Sequence, residues 1–140
     1  MVIGYTTGVF DLFHIGHLNI LKQSKKKCDY LIVAVSNDKL SLKLKGKKPI
    51  IPFKERISII KSIKYVDRVV EEKIDDKISA RKKYKFDIIF DGDDWKKTEK
   101  WKKLEAKLSK LNTKVIFLKY TKKTSSTLIT KVLNKTTKSK

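Results

Sequence analysis

Apolar residues occur along the chain in two recurring patterns, short continuous runs and longer segments with the spacing of a helix face. A continuous run of about four to eight apolar residues is typical of a strand covered on both faces, whereas recurrence every three or four positions is typical of an amphipathic helix. Strands are therefore predicted at Val2–Thr6, Tyr30–Ser36, Val66–Val70, Phe86–Asp91 and Lys114–Lys119. Helices are predicted at His17–Lys27, from Pro52 onward with Ile57, Ile59, Ile60 and Ile63 on the apolar face, and at Asp75–Tyr84, Glu99–Leu111 and Ser125–Leu133, with a polar loop at Asn37–Pro49.

This alternation of strands and helices predicts an α/β fold, a single Rossmann-like doubly wound parallel sheet of about five strands with helices on both faces. The 140 residues suit one domain. We assign that domain to residues 1–133 and expect the polar residues 134–140 to be frayed. Ligands of such sheets bind at the carboxyl ends of the strands, near the point where the strand order reverses.

The charge of the chain bears on its possible partners. The formal net charge is +20, which is the usual footprint of a protein that binds nucleic acid or an anionic membrane surface. Only Arg56, Arg68 and Arg81 are arginines among the 35 basic residues, however, and nucleic-acid readers favour Arg. We therefore expect solvated lysine faces that attract anionic substrates, and no specific nucleic-acid partner, although a non-enzymatic basic module that binds RNA or membrane is the alternative of a different class.

Two further features indicate the compartment. No apolar run approaches the roughly 20 residues of a membrane span, and no segment has the pattern of a signal peptide. The single cysteine, Cys28, cannot form an intrachain disulfide. We therefore expect a cytoplasmic protein that does not insert into membranes.

The segment after the first predicted strand, Gly8-Val9-Phe10-Asp11-Leu12-Phe13-His14-Ile15-Gly16-His17, carries the densest set of chemical groups. Its two histidines are three positions apart at a helix start, so their imidazoles lie on one face about one turn apart. The helix N-terminus favours an anion there. Gly8 would let the backbone approach a phosphate, and Gly16 would leave room between the rings. The alternative is a pair of surface histidines without a ligand.

The string Gly-x-Phe-Asp-x-x-His-x-Gly-His from Gly8 to His17 resembles the signature of the cytidylyltransferases of the nucleotidyltransferase superfamily. The resemblance extends over nearly the whole chain and is nearest to the glycerol-3-phosphate cytidylyltransferases. It implies catalytic roles for His14 and His17 as donors to phosphate oxygens. It also implies that nucleotide contacts come from Thr7, Gly8, Val9, Phe10, Asp11 and Gly16, with Asp11 orienting either a histidine or a metal.

A second motif, Asp91-Gly92-Asp93-Asp94-Trp95, follows a predicted strand. By itself it is equally an ordinary Asp-Gly turn. It is similar to the Gly-Asp-Asp-Trp of glycerol-3-phosphate cytidylyltransferases, which implies nucleotide contacts from Asp91, Gly92 and Asp93 and an acceptor contact from Trp95.

A third motif runs from Tyr120 to Thr127 and is first of all a helix N-cap. It resembles the family pattern Arg-Thr-x-Gly-Ile-Ser-Thr-Thr, with Tyr120 in place of the arginine that would clamp a phosphate. The resemblance implies a catalytic role for Thr127 and nucleotide contacts from Thr121, Ser125 and Ser126, which would hold the leaving pyrophosphate.

Basic residues complete the predicted site. By the same resemblance, Lys45 is catalytic and Arg56 contacts the nucleotide, whereas the acceptor is bound by Lys47, Lys64 and Asp38 together with the tryptophan of the second motif. Each of these charged residues could equally belong to a solvated face.

The reaction implied is the attack of a phosphorylated alcohol on CTP, which gives a CDP-alcohol and pyrophosphate. The resemblance implies Mg²⁺, held mainly by the CTP phosphates, and a homodimer. Glycerol-3-phosphate is the expected acceptor. The alternatives are choline-phosphate, ethanolamine-phosphate, and FMN with an adenylyl donor, because FMN adenylyltransferases share the first motif.

Overall fold

Five strands alternate with helices in this computed structural model, which describes residues 1–92, 98–119 and 131–133. The strands are β1 (Ile3–Gly8), β2 (Tyr30–Ser36), β3 (Arg68–Glu72), β4 (Ile88–Gly92) and β5 (Lys114–Leu118). The helices are α1 (Ile15–Lys26), α2 (Asp38–Lys45), α3 (Phe53–Lys61), α4 (Lys77–Tyr84) and α5 (Glu99–Ser109), and residues 131–133 are also helical. The rest of the predicted helix Ser125–Leu133 and the tail 134–140 lie outside the described residues.

The strands form one sheet in the order β3-β2-β1-β4-β5, and every pairing is parallel. This confirms the predicted fold class. The chain passes outward from β1 through β2 to β3 and then crosses to β4 on the other side of β1. The strand order therefore reverses between β1 and β4, and their carboxyl ends, which lie side by side through the pair Thr6 and Phe90, mark the expected ligand crevice.

Two apolar clusters cover the two faces of the sheet. On one face, Leu31, Val33 and Val35 of β2 pack with Leu21 of α1 and Ile60 of α3. The other face packs against α4 and α5 through Tyr5, Ile32, Phe86, Trp101 and Leu108. Successive residues of β2 serve opposite faces, which is why that strand is a continuous apolar run. None of the described helices is long and apolar enough to cross a membrane.

The prediction of a polar loop at Asn37–Pro49 was wrong, because α2 occupies most of that segment. The side chain of Asn37 caps this helix by accepting from the Leu40 N–H at 2.8 Å, and Gly46 ends it in the left-handed region at φ 74°. Leu40 is buried whereas Leu42 and Leu44 are exposed, so the alternating leucines do not mark an apolar helix face. The capping residues Asn37 and Gly46 indicated this helix in the sequence, but the spacing of the leucines did not.

Several other boundaries differ from the predictions. β1 continues through Gly8 because it pairs with β2 as far as Val35, although a break was expected after Thr6. β3 begins at Arg68, because its five residues pair with the last five of β2. In α3, Ile59 is 40% exposed and does not lie on the apolar face. Helix α1 begins at Ile15 instead of His17, for the reason given next.

Candidate active site

The turn between β1 and α1 has an unusual backbone. Phe10 and Leu12 have φ values of 53° and 50°, in the left-handed region that bulky side chains rarely adopt. Each such residue costs about 1–3 kcal/mol and persists only where surrounding contacts hold it. Gly8, the last residue of β1, is packed against this turn: a Cβ there would lie 2.9 Å from carbons of the Phe10 ring, which would have to shift. Contacts with neighbouring residues therefore hold the turn in this backbone conformation.

Both histidines cap helix α1 with one ring nitrogen. Nδ1 of His14, the N-cap residue, accepts from the Gly16 N–H at 3.0 Å, and Nδ1 of His17 accepts from the His14 N–H at 3.2 Å. This reciprocal pair is a capping box made from two imidazoles. In a neutral imidazole one nitrogen accepts and the other carries the proton. Both neutral rings therefore hold their proton on Nε2.

The two rings stack on one another and are kept neutral by burial. Their centroids are 3.9 Å apart, and the His17 ring also contacts Phe10 at 5.5 Å and Phe13 at 5.4 Å. Burial, followed by the neighbouring His14, lowers the pKa of His17 from 6.5 to about 4, against an opposing effect of Asp11. Burial also lowers the pKa of His14. At neutral pH both rings are therefore uncharged.

The Nε2 atom of His14 is buried and has no hydrogen-bond partner among the residues that the structure describes. A buried N–H without an acceptor costs about 1–3 kcal/mol, so such a group is rare outside functional sites. It lies at the start of a 12-residue helix, at the carboxyl end of β1. An anionic acceptor such as a phosphate oxygen would satisfy both this donor and the helix N-terminus.

The end of β4 lies beside this turn. The Thr6 hydroxyl donates to the Phe90 carbonyl at 3.0 Å, and the Asp91 carboxylate accepts from the Gly92 N–H at 2.8 Å. The structure thus brings Asp91 and Gly92 to the same crevice as the histidines. The remaining predicted contacts of the second and third motifs lie outside the described residues: Asp93, Trp95, Thr121, Ser125, Ser126 and Thr127.

Arg56 was predicted to contact the nucleotide, but its guanidinium is fully buried and is engaged within the protein. It donates through Nε to the Ile51 carbonyl at 2.8 Å and through Nη1 to the carbonyls of Val9 and Ser36 at 2.6 and 2.8 Å. Its Nη2 lies 2.7 Å from an Asp38 carboxylate oxygen. These bonds replace the predicted role of Arg56 with a structural one, and they also occupy the Val9 carbonyl and one oxygen of Asp38.

Asp11 was expected to orient a histidine or a metal. In the structure its carboxylate also holds a loop. Its two oxygens accept from the backbone N–H groups of Ile50 and Ile51 at 2.8 and 2.9 Å. We call residues 46–52, between α2 and α3, the lysine loop. We call residues 9–14, between β1 and α1, the histidine turn. The carboxylate of Asp11 therefore connects the lysine loop to the histidine turn.

The predicted lysines flank or lie in this loop. Lys45 ends α2 and Lys47 follows it, and both are exposed. Burial alone would raise the pKa of Asp38, but bonds from Arg56 and the Phe53 N–H and the charge of nearby Lys48 lower it. The lysine loop thus places cations on the side of the crevice where β2 ends.

Lys64, which was predicted as an acceptor contact, lies away from the histidines of its own chain, and its role at the acceptor stays a prediction. It precedes β3, and Asp67 of the same segment accepts from the Leu31 N–H near the start of β2 at 2.8 Å. Residues before a parallel strand lie at the amino-terminal edge of the sheet. Lys64 packs there against the Tyr65 ring at 5.2 Å, at the edge opposite the histidines.

The aromatic partners of His17 were missed by sequence reasoning. Phe10 and Phe13 bracket its ring and contribute to the burial that keeps it neutral. Their spacing around the histidines was visible in the string, but an isolated phenylalanine in a turn gives no indication of which ring it contacts.

The burial of His17 predicts a pH dependence of stability. Since its pKa is about 4 folded and 6.5 as a free side chain, the unfolded chain binds more protons between these values. Stability should therefore fall as the pH drops through this window, by about 2 kcal/mol after allowance for partial exposure of the ring. Urea unfolding at several pH values between 7 and 4 measures this. The control, His17→Gln, keeps a capping-box side chain but does not titrate, and equal pH dependence in both proteins would contradict the prediction.

Known proteins resemble this chain in sequence and in fold. The family model described as cytidylyltransferase-like matches residues 5–132. Two relatives named FAD synthase, from Thermococcus sibiricus and Pyrococcus horikoshii, are 36% and 37% identical over 131 residues, which is 93% of this chain and 88% of each relative. A crystal structure of the lipopolysaccharide core biosynthesis protein from Thermoplasma volcanium is 35% identical, with a TM-score of 0.73, and the match covers 89% of this chain and 99% of that one.

The family match spans almost the whole chain and includes the histidine turn, the crevice between β1 and β4, and the lysine loop. The relatives are well above 30% identity over nearly their full length. The chain is a member of the cytidylyltransferase-like family of nucleotidyltransferases.

Proposed function

We propose that this chain transfers an adenylyl group from ATP to FMN, which forms FAD and pyrophosphate. The transfer chemistry is supported above all by the Nε2–H of His14, which has no partner among the described residues and lies at a helix start beside the strand-order reversal. The choice of ATP and FMN is supported by the two relatives named FAD synthase. FMN is a phosphate monoester, as the resemblance requires of the acceptor.

The proposed reaction is a direct in-line displacement. An oxygen of the acceptor phosphate forms a bond to the α-phosphorus of the nucleotide, and the bond from that phosphorus to the bridging oxygen breaks with release of pyrophosphate. A monoester with a second pKa of about 6 is mostly dianionic at neutral pH, so no strong general base is required. Catalysis then depends on positioning and on stabilisation of developing charge.

The histidines would supply that stabilisation as neutral donors. Each Nδ1 accepts from a backbone N–H, and the Nε2–H of His14 would donate to a phosphate oxygen. Because the rings are uncharged, they need not be deprotonated or reprotonated during turnover. Lys45 and Lys47 would offset the repulsion between the two anionic substrates.

Mg²⁺ is part of the proposal. Among the described residues, no group of three His, Cys, Asp or Glu side chains is arranged to hold a metal ion. The phosphates of the nucleotide would therefore supply most of its ligands, and the bound ion would neutralise part of the triphosphate charge. The homodimer implied by the resemblance is likewise proposed.

Transfer of CMP from CTP to glycerol-3-phosphate is the second candidate. It is favoured by the similarity of Gly92-Asp93-Asp94-Trp95 to the motif of glycerol-3-phosphate cytidylyltransferases. Choline-phosphate and ethanolamine-phosphate are further acceptors for the same donor.

The test is a pyrophosphate-release screen in which ATP and CTP are each combined with FMN, glycerol-3-phosphate, choline-phosphate and ethanolamine-phosphate in the presence of Mg²⁺. The proposal expects release with ATP and FMN, and chromatographic identification of FAD. A variant lacking the His14 donor, purified in the same way, controls for contaminating enzymes. Release only with CTP and glycerol-3-phosphate would establish the second candidate instead, and no release with any pair would overturn nucleotidyl transfer.

A further inference from the structure

The buried Arg56 joins three separate segments of the chain. Its donors reach Val9 in the histidine turn, Ser36 at the end of β2, Asp38 at the start of α2 and Ile51 in the lysine loop. Taking a guanidinium out of water is costly, and this cost is offset only when its N–H groups find acceptors. Four acceptors from three segments indicate that this side chain sets the relative positions of those segments.

Both backbone polar groups of Ile51 form hydrogen bonds to side chains. Its N–H donates to Asp11 at 2.9 Å, and its carbonyl accepts from Arg56 at 2.8 Å. Asp11 and Arg56 are themselves joined through the histidine turn, because Arg56 binds the Val9 carbonyl two residues before Asp11. We call this set of bonds the loop clamp. It fixes the lysine loop against the histidine turn at two points, one anionic and one cationic.

The loop clamp also explains how the strained turn persists. Val9 and Asp11, which the clamp holds, flank Phe10, and the left-handed backbone of Phe10 needs external support. The Phe53 ring packs 5.7 Å from the Arg56 guanidinium, and Asp38 accepts from the Phe53 N–H at 3.4 Å, so the start of α3 is joined to the same set. Pro52, the N-cap of α3, makes no capping bond of its own.

We infer that Arg56 is a positioning residue that sets the separation between the histidine donors and the lysines of the lysine loop, and that it does so without touching either substrate. Two anionic substrates must be held together between these groups, and a displacement of about 1 Å can cost on the order of 10²-fold in rate. Lys cannot replace Arg here, since three donors on one nitrogen cannot span four acceptors in different directions. The inference rests on the proposed function only for its turnover measurement.

The experiment compares Arg56→Lys with Arg81→Lys. Arg81 is a matched control because it also donates to a backbone carbonyl and a side chain, at Leu111 and Thr113, but these precede β5 at the opposite edge of the sheet. We expect Arg56→Lys to lower kcat about 10- to 100-fold with little change in the KM for the nucleotide. Hydrogen exchange of the Ile50 and Ile51 amides should become at least about tenfold faster. Arg81→Lys should change neither.

The outcomes separate the alternatives. Lower turnover with unchanged exchange at Ile50 and Ile51, or a raised nucleotide KM, would mean direct substrate contact and would overturn the inference. Faster exchange with unchanged turnover would overturn it equally. Should the wild-type protein prove inactive with every substrate pair, the proposed function fails and the exchange measurement alone decides the loop clamp. If Arg56→Lys does not fold, Asp11→Asn, which keeps one acceptor oxygen of two, is expected to speed exchange at this loop, and unchanged exchange would overturn the clamp.

Discussion

Replacing His14 by Asn is expected to reduce turnover at least about 100-fold while the protein stays folded. The amide oxygen of Asn can accept from the Gly16 N–H as Nδ1 does, and Asn is among the best N-cap residues. What the variant lacks is the buried Nε2–H. Loss of one donor to a transition-state oxygen typically costs about 10²–10³ in kcat. Steady-state kinetics with the pair that is active in the pyrophosphate screen measure the effect.

The control for this prediction is His14→Ala, which removes the cap as well as the donor. We expect it to match His14→Asn in turnover but to be less stable by about 1 kcal/mol in urea unfolding, the usual value of an N-cap. Turnover of His14→Asn within a few fold of wild type would contradict a donor role for His14. Equal losses of stability in both variants would contradict the capping role.

The sheet was accessible from the sequence because its strands are buried on both faces. Tyr30–Ser36 was predicted to the residue, since a run of seven with no polar face has few alternatives to a central strand. Alternation with helices placed the histidine turn at the carboxyl end of a strand, but it did not give the strand order. That β1 and β4 lie side by side is known only from the structure.

The roles of individual charged residues were less accessible, since they depend on contacts far apart in sequence. The scarcity of arginine marked Arg56 as noteworthy, but four acceptors from three segments are not visible in a linear pattern. Lys64 is a different case. A residue just before a strand lies at the amino-terminal edge of a parallel sheet, so topology alone separates Lys64 from the histidines of its own chain.

The protonation of the histidines shows the same division. The sequence placed two imidazoles at a helix start, but their tautomer depends on which nitrogen meets a backbone N–H. Nothing in the spacing of His14 and His17 distinguishes a capping Nδ1 from a free one. The aromatic residues that keep His17 neutral likewise act through ring contacts made only after folding.

Lys77→Met is expected to lower the free energy of unfolding by about 3–5 kcal/mol, because it removes the cation paired with the buried Glu72 carboxylate. Lys77 Nζ lies 2.8 Å from both Glu72 and Asp75, and the Lys77 and Glu72 side chains are only 10% and 6% exposed. Glu72 also accepts from the Ser36 hydroxyl at 2.8 Å. Urea unfolding at pH 7 measures the change.

The matched control is Lys100→Met, which removes a cation from the same Asp75 carboxylate at 2.8 Å but from a side chain that is 69% exposed. Exposed pairs contribute about 0–1 kcal/mol, so its effect should be several times smaller. Adding Glu72→Gln to Lys77→Met removes the unpaired charge and should recover a large part of the lost stability.

Because the Ser36 carbonyl is bound by Arg56, this ion cluster is connected to the loop clamp, and Lys77→Met should also speed hydrogen exchange of the Ile51 amide. Equal effects of Lys77→Met and Lys100→Met would show that burial does not govern this cluster and would remove the structural link from α4 to the candidate site.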